Sequence, residues 1–237
     1  MQYRDMLRGR FVRRLNRFVA RVEIEGVEAE AHIRNTGRLA EVFAPGCELM
    51  LLPSENSARR TKYDVVAALR RMPDGAERWV GVDSMLPNAA AGAWLRAGGL
   101  GALSEIRAEA RVGESRFDFV AREGERRVAI EVKGCTLEEA GVARFPDAPT
   151  ARGLRHVREL TALCRAGWRC ALVIAIQFPG AKRFEPNWAL QREFGEALIE
   201  ACAAGVAILA FECALGPEGP RLESPVPVSL ERPGARG

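Results

Sequence analysis

The pattern of apolar and polar residues changes about one third of the way along the chain. The first 82 residues hold short β-branched and aromatic runs between tight turns, which is typical of an all-β unit. One long strand is predicted over residues 10–24, and a second follows the Glu25-Gly26 turn at 27–33. Three more strands are predicted at residues 47–52, 63–68 and 79–82. Five short strands with small turns favour a five-stranded β-barrel of the oligonucleotide-binding (OB) type.

Beyond Pro87-Asn88 the pattern alternates between helix and strand periodicity. Helices are predicted at residues 89–97, 150–166 and 190–204, and strands at 105–112, 115–121, 128–132, 169–176 and 205–212. This order indicates a mixed α/β domain with short meandering strands. The chain is therefore predicted to be an α+β protein of two domains, residues 1–82 and 83–237.

Composition narrows the class of protein. No apolar run approaches the roughly 18 residues that a membrane span needs, so no membrane partner is expected and a cytoplasmic location is the default. The six cysteines are scattered without the spacing of a zinc site or a disulfide framework.

The net charge is +4, and residues 1–80 contain 15 Lys+Arg against 11 Asp+Glu, whereas the remainder holds 20 of each. The basic surplus is thus local to the predicted barrel, as in a surface that contacts phosphates.

Three arginines are spaced by four in the first predicted strand. Because side chains of a strand alternate, Arg13, Arg17 and Arg21 would fall on one face. A helix would also place them together, but the β-branched and aromatic neighbours favour a strand. An arm exposed to solvent is the alternative to a phosphate-binding surface. The residues predicted to follow a nucleic-acid backbone are Arg13, Arg17, Arg21, Arg38, Arg59, Arg60 and Lys62.

Two carboxylates and a lysine stand on neighbouring predicted strands. Glu131 and Lys133 are two apart and share a face, with Val132 turned into the core, and a hairpin would bring Asp118 beside Glu131. Two adjacent carboxylates repel each other unless a cation lies between them, and oxygen ligands favour Mg²⁺ or Mn²⁺. Such an ion activates water and polarises a phosphodiester, and Lys133 would orient the water or stabilise phosphate charge. An ordinary exposed ion pair is the alternative, but the apolar flanks of Glu131 and the scarcity of lysine, three in the chain, argue against it.

This Asp…Glu-x-Lys arrangement resembles the restriction-endonuclease-like nucleases. Within them the chain is similar to the sugar fermentation stimulation protein A family, and the longest matching string is FPDAPTARGLRHVREL at residues 145–160. Shorter matches lie at residues 34–39, 44–46, 115–119 and 130–133. The resemblance implies an OB barrel joined to a nuclease-like domain, DNA binding, and a regulatory role in maltose and other sugar metabolism. A homodimer is compatible with it.

The resemblance also implies a further acid one strand before Asp118. Glu109 stands at that point and is predicted to be a third acid on the metal or its water, although Glu105 has the same parity and an exposed strand face is the alternative. On the helix after Pro146, Arg152 and His156 share a face with Glu159 and suit a phosphate clamp. A core or capping role for His156 stays open, and Asp147 is expected to cap a turn.

Two functions therefore remain. In the first, the protein binds DNA, largely without sequence preference, and its nuclease-like core is structural. In the second, it is a Mg²⁺- or Mn²⁺-dependent nuclease with Asp118 and Glu131 as ligands, Lys133 at the water and Glu109 assisting. Retention of two acids and a lysine favours the second, whereas the family resemblance favours DNA binding, and RNA is not excluded as the substrate.

Overall fold

The N-terminal half forms a closed five-stranded barrel. The computed structural model describes residues 3, 5–35, 37, 39, 42–56, 58–216 and 218–234. Antiparallel pairs join β1 to β2 and β4, β2 to β3, and β4 to β5, and a parallel pairing of β3 with β5 closes the barrel. A sixth strand pairs with β5. The strands are β1 (Leu7–Asn16), β2 (Val19–Ile24), β3 (Val27–Ile33), β4 (Glu48–Pro53), β5 (Tyr63–Arg71) and β6 (Glu77–Gly81).

The long strand predicted over residues 10–24 is wrong, because a turn at Arg17 and Phe18 divides it into β1 and β2. The Asn16 side chain accepts a hydrogen bond from the Phe18 N–H at 2.8 Å, which is the usual way in which asparagine starts a turn. Arg13 is consequently paired across the hairpin with Arg21, and Arg17 stands at its tip rather than between them on one face.

The second domain is a mixed six-stranded sheet in the order β15-β14-β12-β9-β8-β7. The central strands β9, β12 and β14 are parallel, and their neighbours are antiparallel. A small second sheet holds β10, β11 and β13. The elements are α1 (Leu86–Arg96), β7 (Ser104–Val112), β8 (Ser115–Glu123), β9 (Arg126–Cys135), β10 (Leu137–Glu139), β11 (Val142–Phe145), α2 (Ala151–Arg165), β12 (Arg169–Ile176), β13 (Arg183–Pro186), α3 (Arg192–Ala203), β14 (Ala207–Gly216) and β15 (Gly219–Pro225).

The central strand β12 explains why helices cover both faces of this sheet. Every residue from Cys170 to Ile176 is buried, as expected of a parallel strand inside an α/β domain. Leu172 and Ile174 join the apolar cluster that contains α2 and α3, whereas Val173 joins the cluster that contains α1. Successive side chains of a strand point to opposite faces, so α1 lies on one face and α2 with α3 on the other. None of the helices in the described ranges is long and apolar enough to cross a membrane.

The two domains share a hydrogen-bonded junction. The Gly81 N–H donates to the Gln177 carbonyl at 2.8 Å, and the Gln177 side-chain amide donates to the Gly81 carbonyl at 2.9 Å. Asp83, fully buried between β6 and α1, accepts from Arg34 at 2.5 Å and from the Tyr3 hydroxyl at 3.3 Å. One apolar cluster runs through both domains. The domains are therefore joined by buried contacts as well as by the chain.

We expect Leu172→Ala to lower the free energy of unfolding by about 2–5 kcal/mol, because it opens a cavity in the middle of the sheet. Val27→Ala is the matched control, since the Val27 side chain is 68% exposed and its truncation should cost less than about 0.5 kcal/mol. Denaturant unfolding of both variants measures the difference. Equal losses would contradict the placement of β12 at the centre of the core.

Candidate active site

Asp118 lies where strands β8 and β9 separate. Their ladder runs from the pair Glu123–Arg126 to the pair Phe119–Ile130, and Asp118 is the next residue. Its Oδ2 accepts the Val132 N–H at 2.7 Å, so the side chain supplies a hydrogen bond that the diverging ladder does not. Its Oδ1 accepts the side-chain amide of Asn88, on α1, at 2.8 Å. Asn88 lies just before the helix predicted at residues 89–97, and the sequence predicted no role for it at the site.

Glu131 is almost completely buried, with 2% of its surface exposed. Its Oε1 receives both the Lys133 ammonium, at 2.5 Å, and Nδ1 of His156 from helix α2. Its Oε2 is also buried but has no hydrogen-bond partner among the described residues. Two donors thus converge on one oxygen of this carboxylate and leave the other unsatisfied.

The surroundings shift the pKa values of the two carboxyl groups in opposite directions. Burial and the charge of Glu131 raise the pKa of Asp118, and the contacts with Val132, Lys133 and Asn88 only partly offset them. Burial alone would also raise the pKa of Glu131, but the hydrogen bond from His156 and the charge of Lys133 outweigh it, so this pKa lies below its usual range. Glu131 is thus held as an anion, and its negative charge disfavours ionisation of the neighbouring Asp118.

The donor set fits a hard divalent cation. A buried carboxylate oxygen without a partner, next to a second carboxylate, is a site that a cation would complete. Among the described residues no group of three or more His, Cys, Asp and Glu side chains is arranged to hold a metal ion. The arrangement is therefore a pair, which suits an ion such as Mg²⁺ that keeps several waters and takes its remaining ligands from phosphate.

The structure does not bring Glu109 into this arrangement. Glu109 is half exposed and forms an ion pair with Arg116 at 2.9 Å, and Glu105 pairs with Arg122 at 3.5 Å. Both acids lie on the edge strand β7, in the left-handed region of backbone conformation, with φ of 54° and 49°. Two arginines of β8, Arg116 and Arg122, thus bind the carboxylates of these acids, and the role of Glu109 at the metal stays a prediction.

Of the predicted clamp on α2, only His156 contacts the carboxylates. His156 is buried, whereas Arg152 is exposed on the first turn of the helix and Glu159 lies against Arg155 at 3.6 Å. The helix begins where predicted, because Thr150 caps it by accepting the Gly153 N–H at 2.9 Å. Helix α2 thus contributes one of the three predicted side chains to the site, the imidazole of His156.

Three of the seven predicted basic residues are paired with acids within the barrel. Arg59 binds the buried Asp64 through two nitrogens, Arg60 binds Glu30, and Arg21 lies near both Glu28 and Glu30. Lys62 is exposed beside this group, as are Arg13 and Arg17 on the β1–β2 hairpin. Arg38 lies outside the described residues. The nucleic-acid role of these residues stays a prediction. Because several arginines already bind acids of the barrel, fewer positive charges are available to a partner than the number of arginines suggests.

Fold and site together define a two-domain protein, an OB barrel followed by a restriction-endonuclease-like domain. Residues 12–82 match the SfsA N-terminal OB domain, and residues 85–219 match the sugar fermentation stimulation protein RE domain. The chain belongs to the sugar fermentation stimulation protein family, so the resemblance and the fold class predicted from sequence are confirmed.

Relatives match along nearly the whole chain. A sugar fermentation stimulation protein homolog of Desulfitobacterium hafniense strain Y51 is 42% identical over 213 residues, covering 90% of this chain and 91% of the relative. A homolog of Ruminiclostridium cellulolyticum is 38% identical and covers 97% and 100%. The solved structure of Pyrococcus furiosus SfsA in complex with Ca²⁺ superimposes with a TM-score of 0.83 at 29% identity, over 97% and 98% of the two chains.

Asp118→Asn is expected to stabilise the protein at pH 7 in EDTA, by on the order of 1 kcal/mol. The amide removes one of two adjacent negative charges, and its oxygen still accepts from the Val132 N–H. Its nitrogen can donate to the Asn88 side-chain oxygen once the Asn88 amide, which donates to Asp118 here, turns over. Because the pKa of Asp118 is raised in the folded state, the penalty develops as the pH rises above the ordinary value of about 4 and is absent below it. Thermal unfolding at neutral and acidic pH measures the gain.

The exposed Asp147→Asn serves as the control for that substitution and should leave the unfolding temperature unchanged at both pH values. If Asp118→Asn destabilises the protein at pH 7, the carboxylate is a structural bridge between Asn88 and Val132 and not a strained site residue.

Proposed function

We propose that this protein binds DNA and that Asp118, Glu131 and Lys133 form a Mg²⁺- or Mn²⁺-dependent phosphodiesterase site. The observation that carries the proposal is the buried Glu131, whose Oε1 holds two donors while Oε2 has no partner beside a second carboxylate. A structural ion pair would satisfy both oxygens. Burial of an unsatisfied carboxylate oxygen is unfavourable, so its persistence supports a role in binding a cation.

Asp118 and Glu131 would hold the cation, which supplies charge stabilisation for the phosphate and a lower pKa for bound water. The Ca²⁺ in the Pyrococcus furiosus SfsA structure supports a divalent cation for this chain as well. Asn88 and the Val132 N–H keep the Asp118 carboxylate in place through its two oxygens. Such outer contacts typically change metal affinity 10- to 100-fold when removed, by the order of magnitude known from other metal sites.

Lys133 and His156 have different tasks in this proposal. The Lys133 side chain is partly exposed, at 15%, so its ammonium can move from Glu131 to a phosphate or a water at the surface. The His156 side chain is buried, at 4%, and stays behind Glu131 as a fixed hydrogen-bond partner. Lys133 therefore acts on the substrate, and His156 orients the carboxylate and keeps it ionised.

DNA would be held by the exposed basic residues of the barrel, which include Arg13, Arg17 and Lys62. Contacts with phosphates carry no sequence information, so binding without strong sequence preference is expected. The link to maltose and other sugar metabolism rests on the family name and would operate through this DNA binding.

We expect Lys133→Ala to reduce Mn²⁺-dependent cleavage of DNA by about 10²-fold or more, since it removes a charge that stabilises the phosphate in the transition state. Lys182→Ala is the matched control, because Lys182 is an exposed lysine of the same domain that lies beside Gly141 and makes no contact with Glu131. Linear, circular and single-stranded DNA are incubated with each protein, with and without Mn²⁺.

Cleavage by wild type and Lys182→Ala, with loss in Lys133→Ala, is the expected outcome. If wild type retains DNA but never cleaves it, the nuclease part of the proposal fails. If it neither binds nor cleaves, the proposal fails as a whole.

Divalent cations should raise the unfolding temperature of wild type. Ca²⁺ at a hundredfold excess over its dissociation constant stabilises a protein by about 2.7 kcal/mol, and Asp118→Asn should lose this gain. Glu109→Gln should retain it, because the Glu109 carboxylate is held in an ion pair with Arg116. A gain that disappears in Glu109→Gln would instead support the third acid expected from sequence.

One observation favours a second candidate, a DNA-binding protein that does not cut. Among the described residues no third acid completes a metal-binding group at the site, and the Lys133 ammonium is already bound to Glu131 at 2.5 Å. In that case the pair would serve as a cation-dependent clamp on DNA. The cleavage assay separates the two candidates, because both predict DNA retention and only the first predicts a product.

A further inference from the structure

An apolar cavity of about 320 Å³ lies between the outer surface of the barrel and the second domain. Strands β4, β5 and β6 form one wall, and the segment after β12 forms the other together with β14 and the start of α1. The large apolar side chains that line it are those of Met50, Trp79, Leu86, Phe178, Pro179 and Leu215. Ligand pockets occur preferentially at such domain junctions, and about 300 Å³ is the lower end of their volumes.

The cavity exists because small residues face it from the barrel. Met50, Ala67 and Gly81 stand opposite one another on β4, β5 and β6. Alternate residues of a strand share a face, so Trp79 lies on the same outer face as Gly81. A Cβ atom at Gly81 would come within 3.0 Å of the Leu86 side chain. The pair of Ala67 and Gly81 therefore leaves a depression where larger residues would fill the junction.

The charges around the cavity are predominantly negative. The charged residues that line it are three acids and one base, Glu77, Glu212, Glu223 and Arg78. Arg78 is already bound to Asp74 at 2.5 Å, and Glu223 is paired with Arg221 at 2.7 Å. With these partners included, four carboxylates stand against two guanidinium groups. An anionic ligand is therefore disfavoured here, whereas a cation is attracted.

Glu77 is the carboxylate that can receive a cationic group. It is exposed, and within the described part of the chain it has no ion-pair or hydrogen-bond partner. Arg71 lies opposite it on β5 without forming an ion pair. Trp79, two residues further along β6, shares its face and offers an aromatic ring, which attracts cations. The guanidinium of Arg8 lies 5.7 Å from the centre of that ring, and Arg8 does not line the cavity.

We infer that this cavity binds a small organic amine, with its apolar part against Met50 and Trp79 and its ammonium group at Glu77. Burial of the apolar part provides most of the affinity, and the carboxylates select the charged form. The inference is independent of the proposed function, because none of the residues of the proposed phosphodiesterase site lines the cavity. Since both domains supply walls, the bound amine would also hold the barrel and the second domain together.

The first test varies only the charge of the probe. Naphthylethylamine, naphthylethanol and naphthylacetate share one ring system and are nearly equal in size. Isothermal titration calorimetry is carried out on the full chain at neutral pH, in EDTA and without DNA. The amine should bind with a dissociation constant of about 1 mM or below, as expected for a ligand of about 13 non-hydrogen atoms. It should bind at least about fivefold more tightly than the alcohol, and the anion should bind most weakly.

The second test removes the charge of Glu77. Glu77→Gln should weaken binding of the amine about threefold and leave that of the alcohol unchanged, because an exposed ion pair contributes only a small free energy. Glu114→Gln is the matched control, since Glu114 is an exposed acid of the second domain outside the cavity.

The third test fills the cavity without changing charge. Ala67→Leu and Ala214→Leu each place a larger side chain in it, and each should weaken binding of both the amine and the alcohol about tenfold or more. Ala67 is buried, whereas Ala214 is partly exposed, so Ala214→Leu keeps the test decisive if Ala67→Leu fails to fold. Ala93→Leu, on the exposed side of α1 outside the cavity, should bind like wild type.

The inference is overturned if wild type does not bind the amine, or if the anion binds as tightly as the amine. Undiminished binding in a folded variant with a filled cavity would overturn it as well. None of these outcomes bears on the proposed function, which is tested with DNA and divalent cations.

Discussion

The burial of Glu131 is the constraint on which the second domain depends. β9 needs apolar residues because the sheet is covered on both faces, yet it carries a carboxylate that is 2% exposed. An ionised group in such a place must be compensated by charge and hydrogen bonds. Lys133 from the same strand and His156 from α2 provide both. The position of α2 against β9 is thus tied to this carboxylate, and so is the loop that leads into α2.

The second carboxylate is compensated differently. Asp118 receives a backbone N–H and the amide of Asn88, neither of which carries a formal charge, so repulsion from Glu131 is left over. Natural proteins keep such unfavourable contacts mainly where function needs them. The separation of β8 and β9 at this point is what makes room for the side chain, because a continued ladder would have used the Val132 N–H itself. The separation of β8 and β9 therefore accounts both for the position of the Asp118 side chain and for its repulsion from Glu131.

The sequence predicted the long periodic elements of the second domain and missed its strands β10, β11, β13 and β15. The helices and the strands β8, β9 and β12 are strongly periodic, and all were predicted within a few residues. A turn that begins at Asn16 divides a run of residues with high β propensity, and this turn is evident only from the observed β1–β2 hairpin. Asp118, Glu131 and Lys133 could be placed together from parity and pairing alone. Asn88 could not, because its contact depends on where α1 packs. Glu109 matched the parity of a ligand, but the ion pair with Arg116 depends on the partner strand.

The barrel arginines show why a count of charges is a poor guide to a binding surface. Arg59 holds a buried aspartate, and removal of that arginine would leave the carboxylate without its main partner. Arg60 and Arg21 bind the partly exposed Glu30, so a phosphate would have to displace a carboxylate to reach them. Such an exchange gains little free energy, because one anion replaces another in the same hydrogen bonds. Arg13 and Arg17, at the β1–β2 hairpin, are exposed to solvent. The hairpin tip, with Arg17, and the carboxyl edge of the sheet, with Gly134, line one cavity, so under the proposed function the basic surface and the candidate site would meet there.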